Sequence, residues 1–116
     1  MRKYRAILKE PGKKPELVNY SNSLKFLDGI LDGPPTTVRV MTKSGKKITI
    51  FYGADACIKK KDYNFTLMVV PDNKKYWLDF IGTAIIFGRD EEDNLLDCPL
   101  SIEEAEAEIF KVPYDE

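Results

Sequence analysis

Apolar and polar residues alternate in the first half of the chain, and this alternation predicts two β-hairpins. The first joins residues 3–9 to residues 16–20 through a turn in which proline presets φ and glycine supplies the positive φ that a reversal often needs. The second joins residues 36–43 to residues 46–52 around a Ser-Gly turn. The apolar positions of the second hairpin predict half-buried strands.

Apolar residues recur at helical spacing in two further segments, which predicts two helices. The first begins after N-cap candidates at 21–23, ends at Gly33 before two prolines, and buries the face formed by Leu24, Leu27, Ile30 and Leu31. The second begins with a capping box, in which Ser101 accepts from the third helical amide and Glu104 reaches back to the serine. It ends at Pro113 and buries the face formed by Ile102, Ala105, Ile109 and Val112.

The remaining segments differ in how strongly they predict a strand. Residues 65–70 are rich in strand-forming side chains and stop at a Pro-Asp-Asn turn. Residues 79–88 are the most apolar stretch, and we expect them to form one central strand buried on both faces. Residues 53–62 predict a short strand or turn, and residues 89–96 predict a polar, acidic loop.

The order of these elements predicts an α+β fold: a mostly antiparallel sheet of about five strands with two helices packed on one face. A chain of 116 residues has room for one domain, 1–116, with a short flexible tail at 113–116. No apolar run approaches the ~18 residues of a membrane span, and the first residues do not resemble a signal peptide. We therefore expect a cytoplasmic protein with no membrane partner.

The chain contains no histidine. This removes the usual general base, the commonest metal ligand, and the Ser-His and Cys-His nucleophile systems. Cys57 and Cys98 are not in CxxC spacing, so two reduced thiols are expected, with a disulfide as the alternative. The sequence therefore predicts a protein that is not an enzyme and that carries no cofactor and no metal.

Charge is distributed unevenly along the chain, although the net charge is only -1. Residues 1–77 contain 16 Lys and Arg against 7 Asp and Glu, whereas residues 78–116 contain 2 against 12. One interpretation is a bipolar surface that steers a charged partner. The interpretation that we favour is a basic sheet and an acidic helix that lie side by side and compensate each other.

The lysine-rich segments contain a candidate nucleic-acid surface, because lysine contacts phosphate and aromatic rings stack on bases. Its members are Lys46, Lys47, Lys59, Lys60, Lys61, Lys74, Lys75, Tyr76 and Trp77. Lysines on turns and strand edges also discourage edge-to-edge pairing of strands. The isoelectric point of about 5.6 is not that of a strongly basic nucleic-acid domain.

The acidic residues form a candidate surface for a protein partner, by which the chain would imitate a nucleic acid. Its members are Asp90, Glu91, Glu92, Asp93, Glu103, Glu104, Glu106 and Glu108. Acidic faces are common on soluble helices. The run at 90–93 lacks the alternating spacing and the glycine of a Ca²⁺ loop, so we expect a solvated loop there.

Several short motifs resemble, in the same order, those of a family of small proteins from phages and mobile elements of Gram-positive bacteria. These are the strand, Pro-Gly turn and strand at 9–18, the helix at 24–30, the Pro-x-Asn-basic turn at 71–74, the Gly-Thr strand at 79–88 and the helix start at 100–104. The family is known only as a domain of unknown function. The resemblance implies a setting, and it implies no catalytic residue.

Together these observations predict a non-enzymatic accessory protein of a phage or mobile element in the cytoplasm of the bacterial host cell. We expect it to act by protein-protein binding, in host takeover or counter-defence. The alternative is a small nucleic-acid-binding module that uses the lysine and aromatic surface. A homodimer is also open, because an uncovered strand edge favours self-association.

Overall fold

A computed structural model describes residues 3–21, 29–31, 33–42, 44–55, 61–69 and 74–110. Within these ranges the chain forms eight strands and one helix. They are β1 (Lys3–Lys9), β2 (Glu16–Ser21), β3 (Pro35–Met41), β4 (Lys47–Gly53), β5 (Tyr63–Val69), β6 (Tyr76–Ile81), β7 (Ala84–Arg89), β8 (Leu95–Leu96) and α1 (Ile102–Glu108).

The strands form two antiparallel sheets. The larger has the order β2-β1-β7-β4-β3, with the short β8 also paired to β7, and the smaller contains only β5 and β6. Both predicted hairpins are confirmed, since β1 pairs with β2 and β3 pairs with β4. The mostly antiparallel architecture is confirmed as well, but the main sheet has six strands where about five were expected.

The apolar stretch at 79–88 is two strands rather than one. Gly82 lies between β6 and β7 with a φ of 77°, a value that glycine adopts without the steric cost of a Cβ. The chain leaves the small sheet at Ile81 and enters the large sheet at Ala84. The prediction of a buried central strand is confirmed for β7, which lies between β1 and β4.

Isoleucines stack across the middle of the large sheet and begin the main core. Ile7 of β1 and Ile50 of β4 both lie opposite Ile86 of β7, and all three are fully buried. The small sheet and α1 cover this face. Phe65 and Phe80 stack with their ring centroids 4.5 Å apart, and the helix contributes residues such as Ile109.

The opposite face of the large sheet is also buried. A second apolar cluster lies there, formed by Ala6, Leu8, Leu31, Phe51, Ile85 and Phe87. Leu31 belongs to the segment predicted to form the first helix. It packs on the face opposite to α1, so the expectation that both helices pack on one face is wrong for the described end of that segment. The physical reason is that β1 and β7 are apolar on both sides, so each face of the sheet needs a cover.

The described residues contain one helix where two were predicted. The C-terminal helix begins as expected, with the reciprocal capping box of Ser101 and Glu104. It ends at Glu108, and Val112, Pro113 and the predicted tail lie outside the described residues. Most of the first predicted helix, at 22–28, also lies outside them, although Gly29 and Ile30 are helical.

Asn64 joins the two sheets. Its Nδ2 donates to the carbonyl oxygens of Lys9 at 2.8 Å and of Gly82 at 2.7 Å, and its Oδ1 accepts from Lys9 Nζ at 3.0 Å. Lys9 is only 8% exposed, and burial lowers the pKa of its amine. Since Nζ also donates to the Glu10 carbonyl at 2.9 Å, the buried ammonium is held by neutral oxygens.

No helix in the described ranges is long and apolar enough to cross a bilayer.

Candidate functional site

The hairpin of β5 and β6 buries one face and exposes the other. Side chains alternate between the faces of a strand, so the inner set packs on the main core: Phe65, Leu67, Leu78 and Phe80. The same alternation places Thr66, Met68, Trp77 and Asp79 on the outer side, and the hydrogen bond to Thr66 places Tyr63 there as well. The outer set is therefore Tyr63, Thr66, Met68, Trp77 and Asp79. We call this second set the outer face.

The outer face exposes large apolar side chains. Trp77 is 53% exposed, Tyr63 46% and Met68 38%. Met68 and Trp77 are direct partners across the ladder, so a thioether and an indole lie side by side in solvent. Tryptophan, tyrosine and methionine are enriched in protein interfaces because they offer large contact areas.

A groove of about 290 Å³ runs beside the outer face, between β5, the end of β3 and the end of α1. Its walls are residues 40–42, residues 66–68, Trp77 and residues 107–109. Met41, at its β3 side, is the most exposed large apolar residue among those described, at 60%. The groove thus has an apolar lining with the flexible side chains of Met41 and Met68 at its mouth, and such side chains adapt to varied partners.

Two strands with an unpaired edge contribute to the groove. Among the described residues β3 pairs only with β4, and β5 pairs only with β6. Each strand therefore keeps a row of backbone N–H and C=O groups that no neighbouring strand uses. An extended segment from another chain can pair with such an edge.

Hydrogen bonds fix the polar part of the outer face. Thr66 Oγ1 donates to Asp79 Oδ1 at 2.6 Å, and the Tyr63 hydroxyl lies 2.6 Å from Thr66 Oγ1. Because the threonine proton is directed at the carboxylate, the tyrosine must donate to the threonine oxygen. Asp79 is exposed, so it is not a buried carboxylate.

The described candidate nucleic-acid residues lie in three separate places. Lys46 and Lys47 follow the turn between β3 and β4, where they share a cavity of about 340 Å³ with Asp90 and Glu91. Lys74 and Lys75 are exposed just before β6, and Tyr76 separates them from Trp77 in the chain. Lys61 is exposed before β5, whereas Lys59, Lys60 and the side chain of Tyr76 lie outside the described residues.

Much of the candidate acidic surface is engaged within the molecule. Glu104 accepts from Lys46 at 2.6 Å, and Asp93 lies 2.7 Å from Arg39 and 3.5 Å from Arg89. The Glu108 carboxylate accepts from the amide and the hydroxyl of Ser44, which ties the β3–β4 turn to the end of the helix. The Lys46–Glu104 and Arg39–Asp93 pairs join the basic and acidic parts of the sequence, which is the compensation that we favoured. Exposed members without such a contact among the described residues are Glu91, Glu92, Glu103 and Glu106.

The acidic run at 90–93 forms a tight turn. Asp90 Oδ1 accepts from the amides of Glu92 and Asn94, both at 2.9 Å, and Asp93 adopts a φ of 65°. The hydrogen bonds from Asn94 lower the pKa of the Asp90 carboxyl. The described part of the chain contains no group of three or more potential metal ligands.

Cys98 is a buried free thiol. Burial raises the pKa of this thiol, so it stays protonated at neutral pH and is a poor nucleophile. Cys57 lies outside the described residues.

Comparison of the chain with models of known protein families, with curated proteins and with solved structures gave no match. The groove and the outer face are therefore interpreted from their own chemistry. Trp77 was among the sequence candidates, but Met41 and Met68 were not. Strand alternation could have identified both methionines. Val40 and Leu67 point into the core, so the residue that follows each of them points to the other face of its strand.

Proposed function

We propose that this chain is a binding protein without catalytic activity, and that it holds a partner protein in the groove between β3, β5 and α1. The observation that carries the proposal is the exposure of Met41 and Trp77 around an apolar groove. Large apolar side chains left in solvent beside a concave surface are typical of protein interaction sites.

The geometry favours an extended segment of the partner. Such a segment can place one large apolar side chain in the groove while its backbone pairs with the unpaired edge of β3 or β5. Backbone pairing supplies affinity and the groove selects the side chain. The adaptable methionines then accept aliphatic or aromatic anchors.

The biological setting in the proposal comes from the family resemblance. A phage or mobile-element protein that binds a host protein, in host takeover or counter-defence, acts without chemistry of its own. The absence of histidine is in keeping with that role, since it removes the commonest catalytic machinery.

Nucleic-acid binding is the second candidate, and one observation favours it. Lys74 and Lys75 are exposed and precede the exposed Trp77 by three and two residues, so a phosphate contact and a stacking ring lie close together in the chain. Asp79, two residues further on, places a negative charge on the same face and opposes a polyanion. Protein binding therefore remains the better supported function.

The test is an affinity pull-down from a Gram-positive bacterial lysate, with and without nuclease. We expect a protein that survives nuclease and moderate salt, is lost with Met41→Glu, and is kept with Leu17→Glu. Leu17 is a matched control because it is 47% exposed on the edge strand β2, away from the groove. Recovery of nucleic acid alone, falling steeply as salt rises, would instead support the second candidate.

A further inference from the structure

We propose that the outer face of the β5–β6 hairpin binds a second copy of this chain and forms a symmetric dimer. This goes beyond the proposed groove function: the dimer covers Trp77 and Met68 on the hairpin side of the groove, and Met41 with the β3 edge stays open to another protein.

Lys75 lies immediately before β6, two residues ahead of Trp77, and Trp77 and Asp79 occupy alternate positions within the strand. Trp77 and Asp79 lie on the outer face because Leu78 and Phe80 turn into the core. All three residues are exposed. Residues two apart in an extended chain are separated by about 7 Å, so a positive and a negative group flank the indole at similar distances.

This arrangement is self-complementary. The two-fold axis of this dimer lies in the plane between the two outer faces, passes by Trp77 and runs perpendicular to the strands. Rotation about this axis reverses the direction of β6 in the second copy. Lys75 of each copy then lies opposite Asp79 of the other, and the two indoles meet at the centre. Met68 lies beside Trp77 across the ladder and widens the apolar centre.

Both charges are available for such a contact. Among the described residues Lys75 has no ion pair, and Asp79 accepts only the Thr66 hydroxyl, through Oδ1. The Asp79 carboxylate is therefore held in position without a cation of its own. An apolar centre flanked by unpaired opposite charges fits a copy of itself better than it fits a polyanion, which the carboxylate repels.

The first experiment measures mass against concentration by sedimentation velocity. We expect the wild-type chain to approach the dimer mass as concentration rises. Emission of Trp77, the one tryptophan in the sequence, should shift to the blue over the same range as the indole leaves water. A monomer throughout the concentration series, with no shift in emission, overturns the proposal.

Two charge reversals then test the predicted pairing. Lys75→Glu places like charges opposite each other twice per dimer, and so does Asp79→Lys. We expect each variant alone to associate roughly tenfold more weakly or worse. Mixed in equal amounts, the two variants can form a heterodimer in which both contacts are attractive, so the mixture should recover the dimer.

Controls separate this result from loss of folding and from the groove. Lys14→Glu makes the same charge change at an exposed lysine on the β1–β2 turn and should leave the dimer unchanged. Met41→Glu should abolish partner capture and leave the dimer intact, so the two proposals fail independently. Retained association in both single reversals, or no recovery on mixing, would show that the dimer does not use this face.

Discussion

The ammonium of Lys46 lies 2.6 Å from the Glu104 carboxylate, and this contact joins the basic and acidic halves of the sequence. Lys46 precedes β4, whereas Glu104 lies in the first turn of α1 and completes the capping box with Ser101. Lys46 Nζ also donates to the Pro99 carbonyl at 3.2 Å. The β3–β4 hairpin is thereby held against the start of the helix, and Ser44 and Glu108 hold it against the end.

The first prediction concerns the titration of Glu104. Hydrogen bonds from Lys46 and then from the Ser101 amide lower its pKa below the ordinary value of 4.5. The pKa of Glu104 is lower in the folded than in the unfolded chain. The stabilisation that its ionised carboxylate contributes is therefore fully present above about pH 4.5 and is lost as the pH falls through the folded pKa. Lys46→Met should raise the Glu104 pKa and weaken the acid dependence of stability, as measured by carboxyl NMR titration and denaturation at several pH values. An unchanged titration would show that the ion pair does not form in solution.

The second prediction concerns Asn64, which links the two sheets. Asn64→Ala leaves the carbonyls of Lys9 and Gly82 and the buried Lys9 amine each one partner short. We expect a loss of about 2 kcal/mol in the free energy of unfolding, measured by urea denaturation. Asn19→Ala, at an exposed position on β2, is the matched control and should change stability little. Equal effects of the two substitutions would contradict the link.

The third prediction concerns Gly88 in β7. A Cβ at this position would clash with the carbonyl oxygen of Asp97, which belongs to the backbone and cannot rotate away, and would lie 3.0 Å from Pro99 Cδ. Gly88→Ala should therefore cost roughly 2 kcal/mol or more by forcing the segment after β8 away from the sheet. Gly45→Ala is the comparison, since it strains a φ of 87° but meets no atom within 4 Å. Thermal denaturation should rank Gly88→Ala as the more damaging of the two.

The fourth prediction concerns the reactivity of Cys98. Burial raises the pKa of its thiol, so a thiol reagent should modify it slowly in the native protein and rapidly after unfolding. The measurement uses a Cys57→Ser variant, in which Cys98 is the remaining thiol. Rapid modification under native conditions would mean that the segment around Cys98 opens readily.

Local patterns in the sequence were sufficient for the hairpins and for the start of the helix. The alternation in β3 and β4, the Pro-Gly turn and the Ser101–Glu104 pair each involve residues within a few positions of one another. Their geometry is therefore set by local sterics and hydrogen bonds. Alternation in β3 and β5 also contained the outward positions of Met41 and Met68, but the candidate surfaces were chosen from charged residues and from the aromatic residues beside them.

The sequence by itself determined the alternation of faces, the turns, the helix cap and the absence of histidine chemistry. Only the tertiary structure decided that Gly82 divides one apolar run between two sheets, and that the segment containing Leu31 covers the second face of the large sheet. It also decided that Lys46 meets Glu104, and that Met41 and Trp77 share a groove. The physical reason is that these relationships depend on how distant segments pack together. A run of apolar residues has the same sequence pattern whether it forms one buried strand or two.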